Sequence, residues 1–172
     1  MFDLKRLENV TLRINNIMHS SSVDGTGFRD VVFVNYCPHH CDGCHNMQTW
    51  DKANGENVPL IDVYNDLTES AITNVTFSGG EPFEQSDELS LLADALIENT
   101  GKTIWAYSGY TFEQLMADST KKNLLSKINV LVDGKFDKTK TELNLRFKGS
   151  TNQRIIDVQK SLKSGNIVLF ED

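Results

Sequence analysis

The chain has no apolar run of about twenty residues, the length needed to cross a bilayer core, so its 172 residues are not expected to span a membrane. Its start, Met1-Phe2-Asp3-Leu4-Lys5-Arg6, lacks the apolar centre of a signal peptide. Positive charge is scarce: 17 Lys and Arg stand against 24 Asp and Glu, for a net charge of −7. That balance argues against direct nucleic-acid binding, which draws on clustered cations to neutralise phosphates. There is no repeat, no low-complexity tract and no linker. Cysteine is rare as well, with three residues in all. Three thiols without a disulfide framework fit a reducing, cytoplasmic setting.

What is present is concentrated. Cys37, Cys41 and Cys44 form a C-x3-C-x2-C run with Pro38, His39, His40, Asp42 and Gly43 between them. Three thiolates on one loop can hold three corners of a four-iron cluster, whose usual complement is four cysteines. The uncovered iron would then be open to a small molecule. Two other readings compete on the cysteines alone. A Cys3His zinc site could recruit His39, His40 or His45, and Cys41-Asp42-Gly43-Cys44 could cycle as a redox dithiol. Structural zinc sites commonly draw ligand pairs from two separated knuckles, whereas here one segment carries every thiolate.

A second motif, Thr76-Phe77-Ser78-Gly79-Gly80-Glu81-Pro82-Phe83, follows the strand-like run Ile72 to Phe77. Paired glycines let backbone approach a ligand closely because no Cβ intervenes. Glu81 adds a negative group suited to an ammonium ion. Taken alone, an ordinary strand-to-helix turn is the better explanation of this run; beside the cysteine loop about thirty residues earlier it is not.

Periodicity outlines the scaffold. Val10 to Met18, Val31 to Tyr36, Thr103 to Tyr107 and Ile128 to Val132 read as strands, with Arg154 to Val158 and Asn166 to Phe170 as late ones. Leu60 to Ala71 and Glu88 to Ile97 carry apolar residues at helical spacing, and Gly101 is a stop for the second. Thr111 with Gln114 three residues on has capping-box spacing. The polar stretch 137–153 reads as a long loop. Alternating strands and helices predict an α/β fold with a mostly parallel sheet. In such sheets ligands lie at the carboxyl ends of strands, and Cys37, Ser78, Ser108 and Asp133 each follow a predicted strand. A complete eightfold β/α barrel takes about 250 residues, so any barrel here must be partial.

C-x3-C-x2-C followed by Gly-Gly-Glu resembles the radical S-adenosylmethionine (SAM) enzymes. The likeness extends through Asp24–Arg29, Cys37–Asn46, Ser78–Phe83, Tyr107–Phe112, Val132–Phe136 and Arg146–Arg154, blocks that together resemble the anaerobic ribonucleoside-triphosphate reductase activating proteins. The resemblance implies a single radical SAM domain over residues 1–172, folded as an incomplete β/α barrel. It implies a [4Fe–4S] cluster on Cys37, Cys41 and Cys44, with SAM as second cofactor. Gly79, Gly80 and Glu81 would receive the SAM amino group, so a Cβ at Gly79 is expected to obstruct SAM yet spare the cluster. Gly43, Cys44, His45 and the turn Tyr107, Ser108, Gly109 would contact the rest of SAM. In the wider superfamily the residue before the third cysteine is often aromatic; here it is Gly43.

The implied activity is reductive cleavage of SAM to a 5′-deoxyadenosyl radical that generates a glycyl radical on the large subunit of the anaerobic ribonucleotide reductase. A low-potential donor such as flavodoxin would supply the electron. Alternatives are activation of another glycyl radical enzyme such as pyruvate formate-lyase, or a non-catalytic zinc module. His39, His40 and His45 are expected in the loop or around SAM rather than on iron. Arg29 is expected to anchor the partner or the cysteine loop, or to form a structural ion pair, and Trp50 and Trp105 to pack. Asn152-Gln153-Arg154 has no chemical role assignable from sequence.

Overall fold

The computed structural model describes all 172 residues. Seven strands, β1 Thr11–Ser21, β2 Arg29–Val34, β3 Glu56–Pro59, β4 Asn74–Gly79, β5 Ile104–Tyr107, β6 Val130–Asp133 and β7 Arg154–Asp157, form one sheet in the order β3-β1-β2-β4-β5-β6-β7. Helices α1 Leu60–Leu67, α2 Ser86–Thr100, α3 Phe112–Met116, α4 Ser119–Leu125 and α5 Val158–Ser164 connect and cover it. β2, β4, β5 and β6 are parallel, because helical crossovers return the chain to the same starting edge. β1 is antiparallel to β2 and to β3, and β7 to β6, so five of the seven strands point one way. β3 and β7 are the outermost strands, and the sheet is open.

Side chains alternate between the faces with period two. On the helix side, Val75 and Phe77 of β4, Ile104 and Ala106 of β5, and Leu131 of β6 join a core of 28 buried residues with Leu89, Leu92, Ala93 and Leu96 of α2. The other face is smaller and more polar. Trp105, Val130 and Val132 pack there with Tyr107, Phe147, Ile155 and Phe170, while Thr76 and Ser78 are its buried β4 residues.

Local signals were legible. Thr111 and Gln114 form the reciprocal capping box, at 3.2 and 2.9 Å. Gly101 ends α2 with φ +71°. The stretch 137–153 is irregular apart from a 3-10 turn at Lys138–Lys140. Other expectations need correction. β1 is a strand, as its pattern indicated, yet it turns back through residues 22–28, a link too short for a parallel crossover. Asn166–Phe170 makes only an isolated bridge, Leu169 to Ile156. β3, α4 and α5 escaped the periodicity because each is a short element, of 4, 7 and 7 residues. No helix is long and apolar enough to cross a membrane.

Candidate metal centre

The carboxyl ends of β2, β4 and β5 open on a cavity of about 560 Å³. Cys37, Cys41, Cys44 and His45 line it from the cysteine loop, Gly79 and Gly80 from the turn after β4, and Tyr107, Ser108 and Gly109 from the end of β5. Segments distant in sequence therefore meet in one place.

The cysteine loop starts from a constrained residue. Tyr36 has φ +94°, a costly conformation for an aromatic residue. Its neighbours hold it there: Tyr36 N donates to Thr49 O (2.6 Å), Cys37 N to Trp50 O (3.3 Å), and Glu81 N to Tyr36 O (2.8 Å). Gly79 and Gly80 make this approach possible. A Cβ on Gly79, at φ +95°, would lie 2.6 Å from the Val34 backbone, and one on Gly80 would lie 2.2 Å from Tyr36 O. The obstruction expected from a side chain at Gly79 is thus first with the protein's own backbone, and a selective effect on a ligand does not follow.

All three thiols are free, and Cys37 is buried. Burial pushes the Cys37 thiol up to about 11, although backbone N–H groups of His39 and His40 pull the other way. Burial likewise raises Cys41 above the ordinary thiol range, opposed by the Phe136 amide. Asn46 N donates to Cys44 Sγ at 3.3 Å. A metal group seated among these sulfurs would supply positive charge that favours their thiolate forms. An iron–sulfur cluster spreads its thiolates over separate irons, and the three cysteines line one cavity. The donor set fits the cluster.

Residues 23–156 match the family model described as a 4Fe-4S single cluster domain. The chain is 35% identical over 139 residues to the anaerobic ribonucleoside-triphosphate reductase-activating protein of Escherichia coli (strain K12), covering 76% of this chain and 89% of the relative. The proteins of the same name from Pasteurella multocida (33% over 141 residues; 77% and 89%) and Enterobacteria phage T4 (34% over 139; 77% and 86%) match it comparably. The chain belongs to the family of anaerobic ribonucleoside-triphosphate reductase-activating proteins.

In this member of the activating-protein family, two expected ligand contacts stand apart from the cavity lining. Gly43, at φ +75°, is exposed, and its missing Cβ would face Lys138 and Phe136. An aromatic ring nevertheless reaches this place from elsewhere: Phe136 lines the cavity and lies 5.1 Å from the His45 ring. Glu81 is wholly buried, and its carboxylate already accepts from His39 Nε2 (2.7 Å), Ser108 Oγ (2.9 Å), Gly109 N (2.8 Å) and Phe83 N (3.1 Å). These donors occupy the capacity of a carboxylate, so the expectation of an ammonium on this side chain is corrected.

Arg29 forms no ion pair. It is buried on the polar face of the sheet, where Nε donates to Thr76 Oγ1 (2.8 Å) and Nη2 to Val75 O (2.8 Å) and Thr103 O (3.0 Å). Burial without a carboxylate lowers its pKa to about 10. It ties β2 to β4 and to Thr103, just before β5, and holds Thr26 O of the 22–28 turn (3.2 Å).

Activating-protein residues that sequence reasoning left without a role now have one. Gln153 Oε1 accepts from Gly149 N (2.8 Å) and Ser150 N (3.1 Å), and its Nε2 donates to Gly134 O (3.0 Å). Asn152 Nδ2 donates to Lys135 O (2.8 Å), and Arg154 joins Asp133 to Glu113. Together they pin the irregular 134–153 segment, which sets Phe136, Phe147 and Lys148 against the cavity. Trp105 packs against Phe147 and Phe170 as expected; Trp50 stacks on His40 at 4.6 Å and also lines the cavity. Phe136 and Phe147 lay within resemblance blocks, but nothing local to them signalled a cavity.

Proposed function

We propose that this chain activates an anaerobic ribonucleoside-triphosphate reductase by placing a glycyl radical on its large subunit, with SAM as the radical source. The open sheet would be the partial barrel of a single radical SAM domain over residues 1–172, working in the cytoplasm. One observation carries the reading: three cysteines, with no fourth in the chain, line the same cavity as the Gly79-Gly80 turn and the Tyr107–Gly109 turn. Cys37, Cys41 and Cys44 would hold a [4Fe–4S] cluster by three irons. When bound there, such a cluster supplies the electron that splits SAM into methionine and a 5′-deoxyadenosyl radical, which takes hydrogen from a glycine Cα.

The chain's own residues bind and orient. Gly79 and Gly80 offer backbone to the methionine end of SAM, and Cys44, His45, Tyr107, Ser108 and Gly109 border its nucleoside. Lys148 is a lining cation whose Nζ donates to a backbone carbonyl, Gln153 O at 3.1 Å, and its remaining donors would suit the SAM carboxylate. Phe136 and Phe147 exclude water from that wall. A flavodoxin-like donor would deliver the electron.

The test is anaerobic reconstitution with iron and sulfide, then reduction with SAM and the reductase present. A glycyl doublet in electron paramagnetic resonance is expected. It should collapse when the reductase glycine carries deuterium at Cα, with deuterium recovered in 5′-deoxyadenosine. SAM cleavage that puts a radical on pyruvate formate-lyase but not on the reductase would reassign the partner. Full activity of colourless, zinc-loaded protein would end the radical mechanism.

A further inference from the structure

We infer that His39 is a positioning residue, which locks the cysteine loop onto the sheet by its bond to the buried Glu81, so that the Glu of Gly79-Gly80-Glu81 acts on the metal centre through His39. The role in catalysis rests on the cluster proposed above; the geometry does not. Between the first two cysteines, Pro38 and His40 are exposed. The His39 side chain is 7% exposed and turns inward. It makes the only side-chain hydrogen bond from residues 38–40 to the rest of the protein, Nε2 to Glu81 Oε2 at 2.7 Å. A carboxylate accepts, and the matching imidazole tautomer donates from Nε2.

The room for that ring is built in. A Cβ on Gly109 would sit 2.4 Å from His39 Cδ2, so glycine is needed there for the imidazole to reach Glu81. Tyr110 closes the pocket edge-on, with ring centroids 4.5 Å apart, and its hydroxyl donates to Glu84 at 2.5 Å. Glu81 itself is held by Ser108 Oγ and Gly109 N after β5 and by Phe83 N beyond its own turn. Three segments, at residues 37–41, 81–83 and 108–110, thus meet at one carboxylate. With its acceptor sites filled and no surface exposed, Glu81 has no free lone pair for a ligand. A buried network satisfied at every member rigidifies what it holds, and here it holds Cys37 and Cys41 from the residues between them.

The experiment uses the full chain in two states. In metal-free protein, the iodoacetamide reaction of Cys37 is followed by mass spectrometry at one pH. Buried Cys37 reacts when the loop opens, so His39→Ala should raise its rate at least ~tenfold, equivalent to about 1.4 kcal/mol of opening free energy. His39→Gln keeps an amide donor for Glu81 and should stay within about threefold of wild type, on the same scale. Gly109→Ala retains His39 but fills the place of its ring, and should reproduce His39→Ala. In reconstituted protein, the resonance spectrum of the reduced cluster and its half-life under chelator should change in His39→Ala and return in His39→Gln.

Wild-type alkylation in either folded variant, His39→Ala or Gly109→Ala, overturns the inference. So does Glu81→Gln with weaker SAM binding but unaltered Cys37 reactivity and cluster half-life, the mark of a direct ligand contact. Wild-type protein that takes up no cluster defeats the functional reading instead, and leaves the metal-free result standing.

Discussion

Gly80→Ala is the sharpest perturbation of this architecture. The added methyl would lie 2.2 Å from Tyr36 O, 2.8 Å from Tyr36 C and 3.2 Å from Thr49 O, and each neighbour is backbone. Restoring ordinary contact at 3.4 Å requires the two segments to part by more than 1 Å. That movement stretches Glu81 N to Tyr36 O and Gly80 N to Val34 O, both 2.8 Å. Overpacking costs roughly 1–3 kcal/mol and each weakened hydrogen bond about 1 kcal/mol, for a total of about 3–5 kcal/mol. Against a typical stability of about 5–15 kcal/mol, the variant should fold but melt early. At about 2–4 °C per kcal/mol for a chain of this size, Tm should fall by roughly 6–20 °C. Thermal unfolding of metal-free protein by circular dichroism reads this without any ligand. Gly101→Ala is the control: at φ +71°, with nothing within 4 Å of the new methyl, it carries only the left-handed penalty of about 1–2 kcal/mol. A Tm loss for Gly80→Ala no greater than that for Gly101→Ala would refute the packing argument and return this glycine to a purely ligand-related role.

Replacing Cys37, Cys41 or Cys44 by Ala, one at a time, should abolish a stable four-iron cluster and SAM cleavage, as read by iron content and 5′-deoxyadenosine; one fully active variant would disprove the ligand set. Air should bleach the visible absorption of reconstituted protein along with its activity, because an open iron is exposed to oxidants; retention of both would contradict a three-cysteine cluster. Arg29→Ala removes the bonds to Thr76 Oγ1, Val75 O and Thr103 O and empties a buried site, so urea unfolding should show a loss of about 3–5 kcal/mol; a loss below about 1 kcal/mol would exclude its role in tying the strands. The bond from Arg154 holds the Glu113 carboxyl below its usual range. This contribution is present above the unfolded pKa of about 4.3 and disappears as pH falls through the lowered folded value. Glu113→Gln should therefore destabilise at pH 7 by no more than about 1 kcal/mol for so exposed a pair, and match wild type in acid; a gap that widens in acid would contradict the assignment.

The sequence by itself determined what depends on neighbours along the chain. The C-x3-C-x2-C spacing defines the donor set, and the blocks from Asp24 to Arg154 define the family. Thr111 with Gln114, and Gly101 after α2, mark helix ends through contacts within three or four residues. Strand periodicity located β2, β4, β5 and β6 and so foretold which turns share an edge. Only the tertiary structure decided the work of individual residues whose partners are remote. His39 and Glu81 are 42 positions apart, Glu81 and Ser108 are 27, and Arg29 lies 46 from the carbonyl of Val75. Glu81 reads locally as a free carboxylate beside two glycines, and its capacity is exhausted only when three loops close over it. Gly79 and Gly80 read as room for a ligand, yet the nearest atoms belong to β2 and Tyr36. Phe136 reads as one aromatic in a polar stretch, until Asn152 and Gln153 pin that stretch against the cysteine loop. Local rules name the groups that can do chemistry. Long-range packing decides which of them still has a free valence, a free lone pair or an open face once the chain has folded.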